Sequence, residues 1–163
     1  MTIIETTSTS AQAYIYQLLA NASIEALPSQ LLKKLEIIDP MPSARVFIPY
    51  LPGSDFDDTI AATRSIAEFG RQAVPHLPAR AFNNKDELSS WLSQIRDTGT
   101  NHLLLIAGNT SPPQGPFART LGIIETGLIE FYGFKTVFVA GHPQDHPIAD
   151  EAALLDALAT KRA

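Results

Sequence analysis

The sequence lacks several features on which common functional sites depend. It contains no cysteine, which excludes disulfides, thiolate metal sites and a cysteine nucleophile. No GxGxxG, P-loop or GxSxG pattern occurs, so nothing supports a Rossmann dinucleotide site, an NTPase or a hydrolase elbow. No apolar run approaches the roughly 18 residues of a membrane span, and the polar start of the chain shows no signal peptide. We therefore expect a cytoplasmic protein without a membrane partner.

Positive charge is also scarce. The chain of 163 residues carries a net charge of −5, and its Lys and Arg residues are scattered rather than gathered on one face. This distribution argues against a nucleic-acid partner. The length and the absence of a long linker predict a single domain, 1–163, in which we expect residues 1–10 to be flexible.

What the sequence does contain is a regular alternation of short apolar runs and amphipathic segments. Strands are predicted over Ala22–Leu27, Arg45–Tyr50, Gln72–Leu77, His102–Ala107 and Lys135–Ala140. Helices are predicted over Ser10–Ala20, Ser29–Ile38, Asp55–Phe69, Asn84–Asp97, Pro116–Tyr132 and Ile148–Lys161. This alternation is typical of βα units and a parallel sheet. It fits either an open five-stranded α/β sheet or the first part of a (β/α)8 barrel, which needs about 250 residues.

Polar residues follow the predicted strands, where chemistry sits in parallel α/β folds. The fourth strand ends in Gly108 and Asn109, where small residues admit a planar ligand and the Asn amide can meet a heterocycle edge. An ordinary βα turn is the alternative interpretation of this dipeptide. We expect Phe117 to open the next helix, whose free N–H groups suit a phosphate.

Two ionisable residues lie near the ends of other predicted strands. If Glu25 is buried, its pKa rises, which suits a general acid; the alternative is an edge-strand glutamate that points at solvent. His76 follows Pro75 at a strand end, which is a position for a site residue. The alternative interpretation is a partly buried structural histidine.

Two further histidines, His142 and His146, stand in a proline-containing loop. With no cysteine and no third ligand nearby, zinc binding is the weaker interpretation, and contacts to a cofactor fit better. No metal site is predicted.

Six stretches, taken in order, resemble methylenetetrahydrofolate reductase, the flavin-dependent (β/α)8 enzyme. They are Ser23–Pro28, Val46–Gly53, Val74–Pro78, Leu105–Asn109, Pro112–Phe117 and Ala140–Pro147. The resemblance extends over nearly all of residues 22–162 and implies the N-terminal part of a TIM-type barrel. It also implies FAD as cofactor, and reduction of 5,10-methylenetetrahydrofolate to 5-methyltetrahydrofolate by NAD(P)H in one-carbon and methionine metabolism.

The resemblance also implies roles for individual residues. Glu25 falls on the glutamate that protonates the folate, and His76 on a flavin-contacting histidine. Ala107, Gly108 and Asn109 fall on the loop beneath the isoalloxazine edge, so that Asn109 is implied in catalysis as well as in cofactor binding. Further cofactor contacts are implied at Pro49, Phe117, Ala118, His142, His146, Ala149 and Lys161. Pro49 stands where better-known members carry a hydroxyl residue.

The sequence departs from this family at three points. The family usually has Asp at the position of Asn109 and often Arg at that of Ala107, and the later barrel strands that complete the folate and nicotinamide pocket are absent. These departures leave a second hypothesis open, a truncated, catalytically impaired relative that binds flavin or a partner. In either case we expect self-association, or pairing with a chain that supplies the missing strands.

Overall fold

The computed structural model describes residues 5–38 and 45–141, together with the helical residues 152, 155, 156, 159 and 160. Its helices are α1 (Glu5–Asn21), α2 (Pro28–Leu31), α3 (Phe56–Glu68), α4 (Lys85–Asp97), α5 (Thr120–Ile124) and α6 (Leu128–Phe131). Its strands are β1 (Ser23–Glu25), β2 (Arg45–Ile48), β3 (Gln72–Pro78), β4 (His102–Ile106) and β5 (Thr136–Val139). None of the described helices is both long enough and apolar enough to cross a membrane.

The five strands form one sheet in which every pair of neighbours is parallel and the spatial order is β1-β2-β3-β4-β5. All five predicted strands are therefore confirmed, as is the α/β class with a parallel sheet. Doubly wound sheets reverse their strand order at a switch point, whereas this sheet keeps the order of the chain. The same sequential order is found in (β/α)8 barrels, with which the sheet is compatible.

One face of the sheet packs against the helices in two apolar clusters. Ile48 of β2 and Ile66 of α3 belong to the first cluster. Leu77 of β3, Leu92 of α4 and Leu105 of β4 belong to the second, larger cluster, and all five side chains are fully buried. Because successive side chains of a strand point to opposite faces, the residues between these positions lie on the other side of the sheet.

That second face is strongly concave. Phe47 of β2 and Phe138 of β5 lie on it, and their ring centroids are 5.3 Å apart. Three strand spacings separate β2 from β5, which would place their backbones about 14 Å apart in a flat sheet. The rings meet only because the sheet curls toward this side, which we call the concave face.

The main helices begin where the sequence supplies a cap. The side chain of Asp55 accepts a hydrogen bond from a first-turn N–H of α3, at 3.0 Å, and Asn84 does the same for α4, at 2.9 Å. Such caps satisfy N–H groups that have no partner within the helix. The predicted helices Asp55–Phe69 and Asn84–Asp97 are accordingly confirmed to within a residue or two.

Two other segments that were predicted as single helices are interrupted in the structure. Over 29–38 the structure has the short α2 and a separate 3-10 turn, Leu35–Ile38, which bury the same apolar face that a single helix would bury. Over 116–132 the first helix begins at Thr120, not at Phe117, and Gly127 with φ 69° separates α5 from α6. Apolar spacing indicates a buried face, but it does not locate such interruptions.

Predictions for the two ends of the chain differ in their outcome. The first helix is longer than expected, Glu5–Asn21 in place of Ser10–Ala20. The predicted helix Ile148–Lys161 lies largely outside the described residues, although the residues described there are helical.

Candidate functional site

A cavity of about 230 Å³ lies at the carboxyl ends of four strands. Its lining comes from the segments that follow β2, β3, β4 and β5, which is the edge of a parallel sheet where ligands bind. The lining residues are Tyr50, Leu51, Pro52, Pro78, Ala81, Ile106, Ala107, Gly108, Asn109, Thr110 and Ala140. The sequence prediction of one site built from several strand ends therefore agrees with where the cavity lies.

The turn after β4 forms one wall of this cavity and requires glycine at its centre. Gly108 has φ 84°, a conformation that other residues rarely adopt, and a Cβ atom there would lie 3.0 Å from the Cβ of Pro78. The carbonyl of Ala107 accepts a hydrogen bond from the N–H of Arg80 at 3.0 Å. These contacts hold the turn against the end of β3, with Asn109 exposed at the rim.

The loop that leads from this turn to α5 is docked on the segment after β3. The N–H of Gln114 donates to the carbonyl of Arg80 at 3.0 Å, and Nε of Arg80 donates to the carbonyl of Ala118 at 3.0 Å. A Cβ atom on Gly115 would lie 2.2 Å from the carbonyl oxygen of Asn83, so only glycine fits there. This packing explains why the helix does not begin at Phe117.

Tyr50 lines the cavity on the side of β2. Its ring meets the edge of Trp91 at a centroid distance of 5.2 Å, and Trp91 stacks on Phe56 at 3.5 Å. Burial raises the pKa of Tyr50, and the nearby carboxylates of Glu87 and Asp55 raise it further. The hydroxyl is therefore neutral near pH 7 and can donate a hydrogen bond.

His76 and Glu25 come together on the concave face. The distance from His76 Nε2 to Glu25 Oε2 is 3.6 Å, and the histidine side chain is 8% exposed. Nε2 has no hydrogen-bond partner among the described residues. Burial lowers the pKa of His76, and the Glu25 carboxylate opposes this shift only in part. His76 is therefore a neutral, buried group on the concave face, and its Nε2 lies beside the Glu25 carboxylate.

Of the two interpretations of Glu25, the structure does not show the buried one. Its side chain is 63% exposed, because β1 pairs only with β2 among the described strands. The alternative of an edge-strand glutamate therefore describes its exposure better. A general-acid role for this residue accordingly rests on its position beside His76 and not on burial.

Two more ionisable residues lie on the same face but were not singled out from the sequence. The guanidinium of Arg45 lies 5.7 Å from the ring centroid of Phe138. Burial lowers the pKa of His102, and the positive charge of Arg45 lowers it further. Both residues start their strands, and this strand-start position is why a search of strand ends missed them.

The other residues that were predicted to contact the cofactor lie in different environments. Pro49 is buried next to Tyr50 but does not line the cavity, and the side chain of Phe117 lies in the larger apolar cluster. Ala118 is exposed, and its carbonyl accepts the hydrogen bond from Arg80. Four predicted residues lie outside the described residues, namely His142, His146, Ala149 and Lys161.

The structure adds residues that sequence reasoning did not include in the site. Tyr50, Leu51 and Thr110 lie two, three and four residues after the ends of their strands, so including the whole turn after each strand would have found them. Ala81 ends a 3-10 turn, Ala79–Ala81, that the sequence pattern did not predict, and no signal points to it. Within the described part of the chain, no group of three or more His, Asp or Glu side chains could hold a metal ion.

A scan of the chain against models of known protein families finds no match.

Proposed function

We propose that the protein is a flavin-dependent oxidoreductase, in which NAD(P)H drives reduction of 5,10-methylenetetrahydrofolate to 5-methyltetrahydrofolate. The observation that carries the proposal is the cavity walled by Ala107, Gly108 and Asn109, the turn that resembles the flavin-binding loop of methylenetetrahydrofolate reductases. The sequential parallel sheet agrees with the N-terminal part of a (β/α)8 barrel, and we propose that this is its architecture.

The residues around the cavity suit the ring system of a flavin. Ala81, Ala107, Gly108 and Ala140 contribute little side chain, so a planar group can approach the backbone closely. The cavity volume of about 230 Å³ is below the roughly 300–1,000 Å³ of most ligand sites, which fits one ring system rather than a whole dinucleotide. We therefore expect weaker FAD binding than in a complete barrel.

Each polar group has a distinct task in this proposal. FAD, when bound, supplies hydride transfer between the nicotinamide and the folate. Asn109 presents an amide donor and acceptor to a heterocycle edge without adding charge. We propose that Glu25 delivers a proton to the folate nitrogen that is released as the ring opens, with Nε2 of His76 3.6 Å away.

FAD titration of the purified chain, followed by flavin absorbance and flavin fluorescence, tests the cofactor. Gly108→Ala is expected to weaken FAD binding several-fold, because the added methyl group pushes against Pro78 in the cavity wall. Gly70→Ala is the matched control: its φ of 76° imposes a similar backbone strain, but nothing lies within 4 Å of the added atom. No flavin binding by the wild-type chain, or equal losses in both variants, contradicts the proposed site.

A binding module without turnover is the second candidate, and one observation favours it. Among the described residues, those lining the cavity include no Asp, Glu, Lys, Arg or His. Addition of NAD(P)H and folate to the FAD-loaded protein separates the two candidates. Bleaching of the flavin band by NAD(P)H, followed by reoxidation with 5,10-methylenetetrahydrofolate, supports the enzyme, while a stable oxidised spectrum supports the module.

The edge strands of the sheet indicate where a partner chain could pair. Among the described strands, β1 pairs only with β2 and β5 only with β4. Unpaired edges are templates for further strands. We propose that a second polypeptide, or a second copy of this chain, pairs with at least one of these edges.

A further inference from the structure

A second cavity lies at the opposite end of the sheet from the first. Its volume is about 200 Å³, and its walls are the last turn of α3 and the segments that lead into β3 and β4. Arg71, Thr100 and His102 are among its lining residues, and no Asp or Glu occurs among the described residues of the lining. The cavity therefore combines two nitrogen-bearing ionisable side chains with no acidic partner in its wall.

Arg71 is fixed in position beside this cavity but lacks an acceptor. Its guanidinium lies 5.3 Å from the ring centroid of Phe69, and its main-chain N–H donates to the carbonyl of Ile66 at 3.0 Å. Nε of Arg71 is buried and has no hydrogen-bond partner among the described residues. Nor does Arg71 form an ion pair with Glu68 or Asp97, the acidic residues that end α3 and α4. A buried donor without an acceptor is costly, and more so on a charged group, so an acceptor from a bound molecule would complete this arrangement.

His102 contributes a second nitrogen of this kind from the neighbouring strand. Its Nδ1 is buried and likewise has no hydrogen-bond partner within the described part of the chain. The hydroxyl of Thr100 anchors the segment, because it accepts from the N–H of His102 at 3.3 Å and donates to the carbonyl of Ala73 at 2.7 Å. Two unpaired nitrogens on separately anchored segments therefore border one cavity.

Positive charge prevails around these two nitrogens. Arg96 donates a hydrogen bond to the carbonyl of Thr100 in the cavity wall, and the charge of Arg45 lowers the pKa of His102 beyond the effect of burial. The carbonyl ends of α3 and α4 oppose this charge with roughly half a negative charge each. N–H groups of the turns that follow both helices already bond to their last carbonyls. Three guanidinium groups, with Arg71, therefore outweigh the helix ends, and the cavity favours an anion.

We propose that this second cavity binds a phosphate group through Arg71 and His102. A phosphate carries enough acceptor oxygens for both nitrogens, and arginine is a preferred partner of phosphate in proteins. The cavity volume of about 200 Å³ is below the roughly 300–1,000 Å³ of most ligand sites, which suits one phosphate group and not a whole nucleotide. Because this cavity and the first one lie at opposite ends of the sheet, the proposal does not depend on the proposed enzymatic function.

Titration with inorganic phosphate at constant ionic strength tests the site, with the NMR signals of the His102 ring as the readout. We expect a saturable change of these signals. Arg71→Gln is expected to weaken phosphate binding roughly tenfold or more, because it removes both the charge and the Nε donor. Arg64→Gln is the matched control: it removes the same charge from α3, but Arg64 donates to the carbonyl of Asp97 and does not line the cavity. Its affinity is expected to stay within about twofold of the wild-type value, because charge outside the site is screened by salt.

One further variant and two further ligands sharpen the result. Arg71→Lys keeps the charge without Nε and is expected to lose less affinity than Arg71→Gln, which separates loss of the site from loss of folding. Glycerol 3-phosphate is compared with inorganic phosphate: tighter binding of the ester assigns the site to a phosphorylated metabolite, and weaker binding assigns it to the free ion. Three results overturn the proposal: no saturable change of the His102 signals with phosphate, tighter binding of acetate than of phosphate, or equal losses in Arg71→Gln and Arg64→Gln.

Discussion

At the scale of single residues, the site combines a buried neutral histidine with an exposed carboxylate. His76 has a lowered pKa because burial disfavours its charged form, and Glu25 at 3.6 Å is the group that opposes this effect. A histidine whose pKa is lower in the folded state than in the unfolded chain binds its proton preferentially in the unfolded chain. The free energy of unfolding therefore decreases as pH falls through about 6.5, the ordinary pKa of histidine.

Glu25→Gln is expected to lower the pKa of His76 still further, because the substitution removes the only attractive charge named beside it. An NMR titration of the His76 ring measures this directly and needs neither cofactor nor substrate. Glu36→Gln is the control, since Glu36 lies in the 3-10 turn Leu35–Ile38 and is not among the groups that shift His76. An unchanged or higher pKa of His76 in Glu25→Gln would show that the two side chains are not neighbours in solution.

Asn109 allows a second test at this scale, which depends on flavin binding. A carboxylate beside the pyrimidine edge of the flavin disfavours the anionic reduced form, whereas a neutral amide does not. The flavin bound to the wild-type chain is therefore expected to have a higher reduction potential than the flavin bound to Asn109→Asp. Spectroelectrochemistry of both FAD-loaded proteins gives the two midpoint potentials. Equal potentials would mean that Asn109 does not face the flavin.

At the scale of elements, the sequence predicted the strands better than the helices. Each strand is a short apolar run ended by Gly, Pro or polar residues, and this signal is local. The late start of α5 at Thr120 goes with contacts between the preceding loop and the segment after β3, which no local pattern contains. The helix is interrupted at Gly127, where the backbone is left-handed. The same difference between local and distant signals applies to the site. Gly108 and Asn109 were predicted from the sequence because they follow a strand end. The exposure of Glu25 depends instead on the position of β1 at the edge of the sheet.

The docked loop after β4 leads to a prediction about stability. Gly115→Ala is expected to destabilise the protein by roughly 2 kcal/mol or more, because the added Cβ would lie 2.2 Å from a backbone oxygen that cannot rotate away. Gly122→Ala, within α5, meets only an ordinary contact at 3.6 Å and is expected to be neutral or to stabilise by up to about 1 kcal/mol. Urea denaturation of both variants measures the difference. Similar stabilities would show that the loop is not held against Asn83.

At the scale of the whole molecule, the curled sheet has two edges and a concave face that carries Phe47, His76 and Phe138. Strand order and curvature are compatible with a barrel segment, and the sequence alone left open whether the chain forms an open five-stranded sheet or the first part of a barrel. Curvature depends on distances between strands that are far apart in the chain, which no local pattern contains. The ring contact between β2 and β5 supplies one such distance and shows that the sheet curls.

If a sheet edge pairs with a second copy of this chain, light scattering of the purified protein is expected to give a mass above the 17.7 kDa of one chain. A monodisperse species of 17.7 kDa would oppose pairing between copies at the sheet edges and would leave a different polypeptide as the partner.

The aromatic stack beside the cavity has a spectroscopic consequence. Trp91 is the single tryptophan of the chain, and its indole contacts the ring of Tyr50, which lines the cavity. A group that enters the cavity and displaces this tyrosine changes the surroundings of the indole. The intrinsic emission of the protein is therefore expected to report occupancy of the cavity, so that colourless compounds can be screened without a label and without any assumption about the reaction.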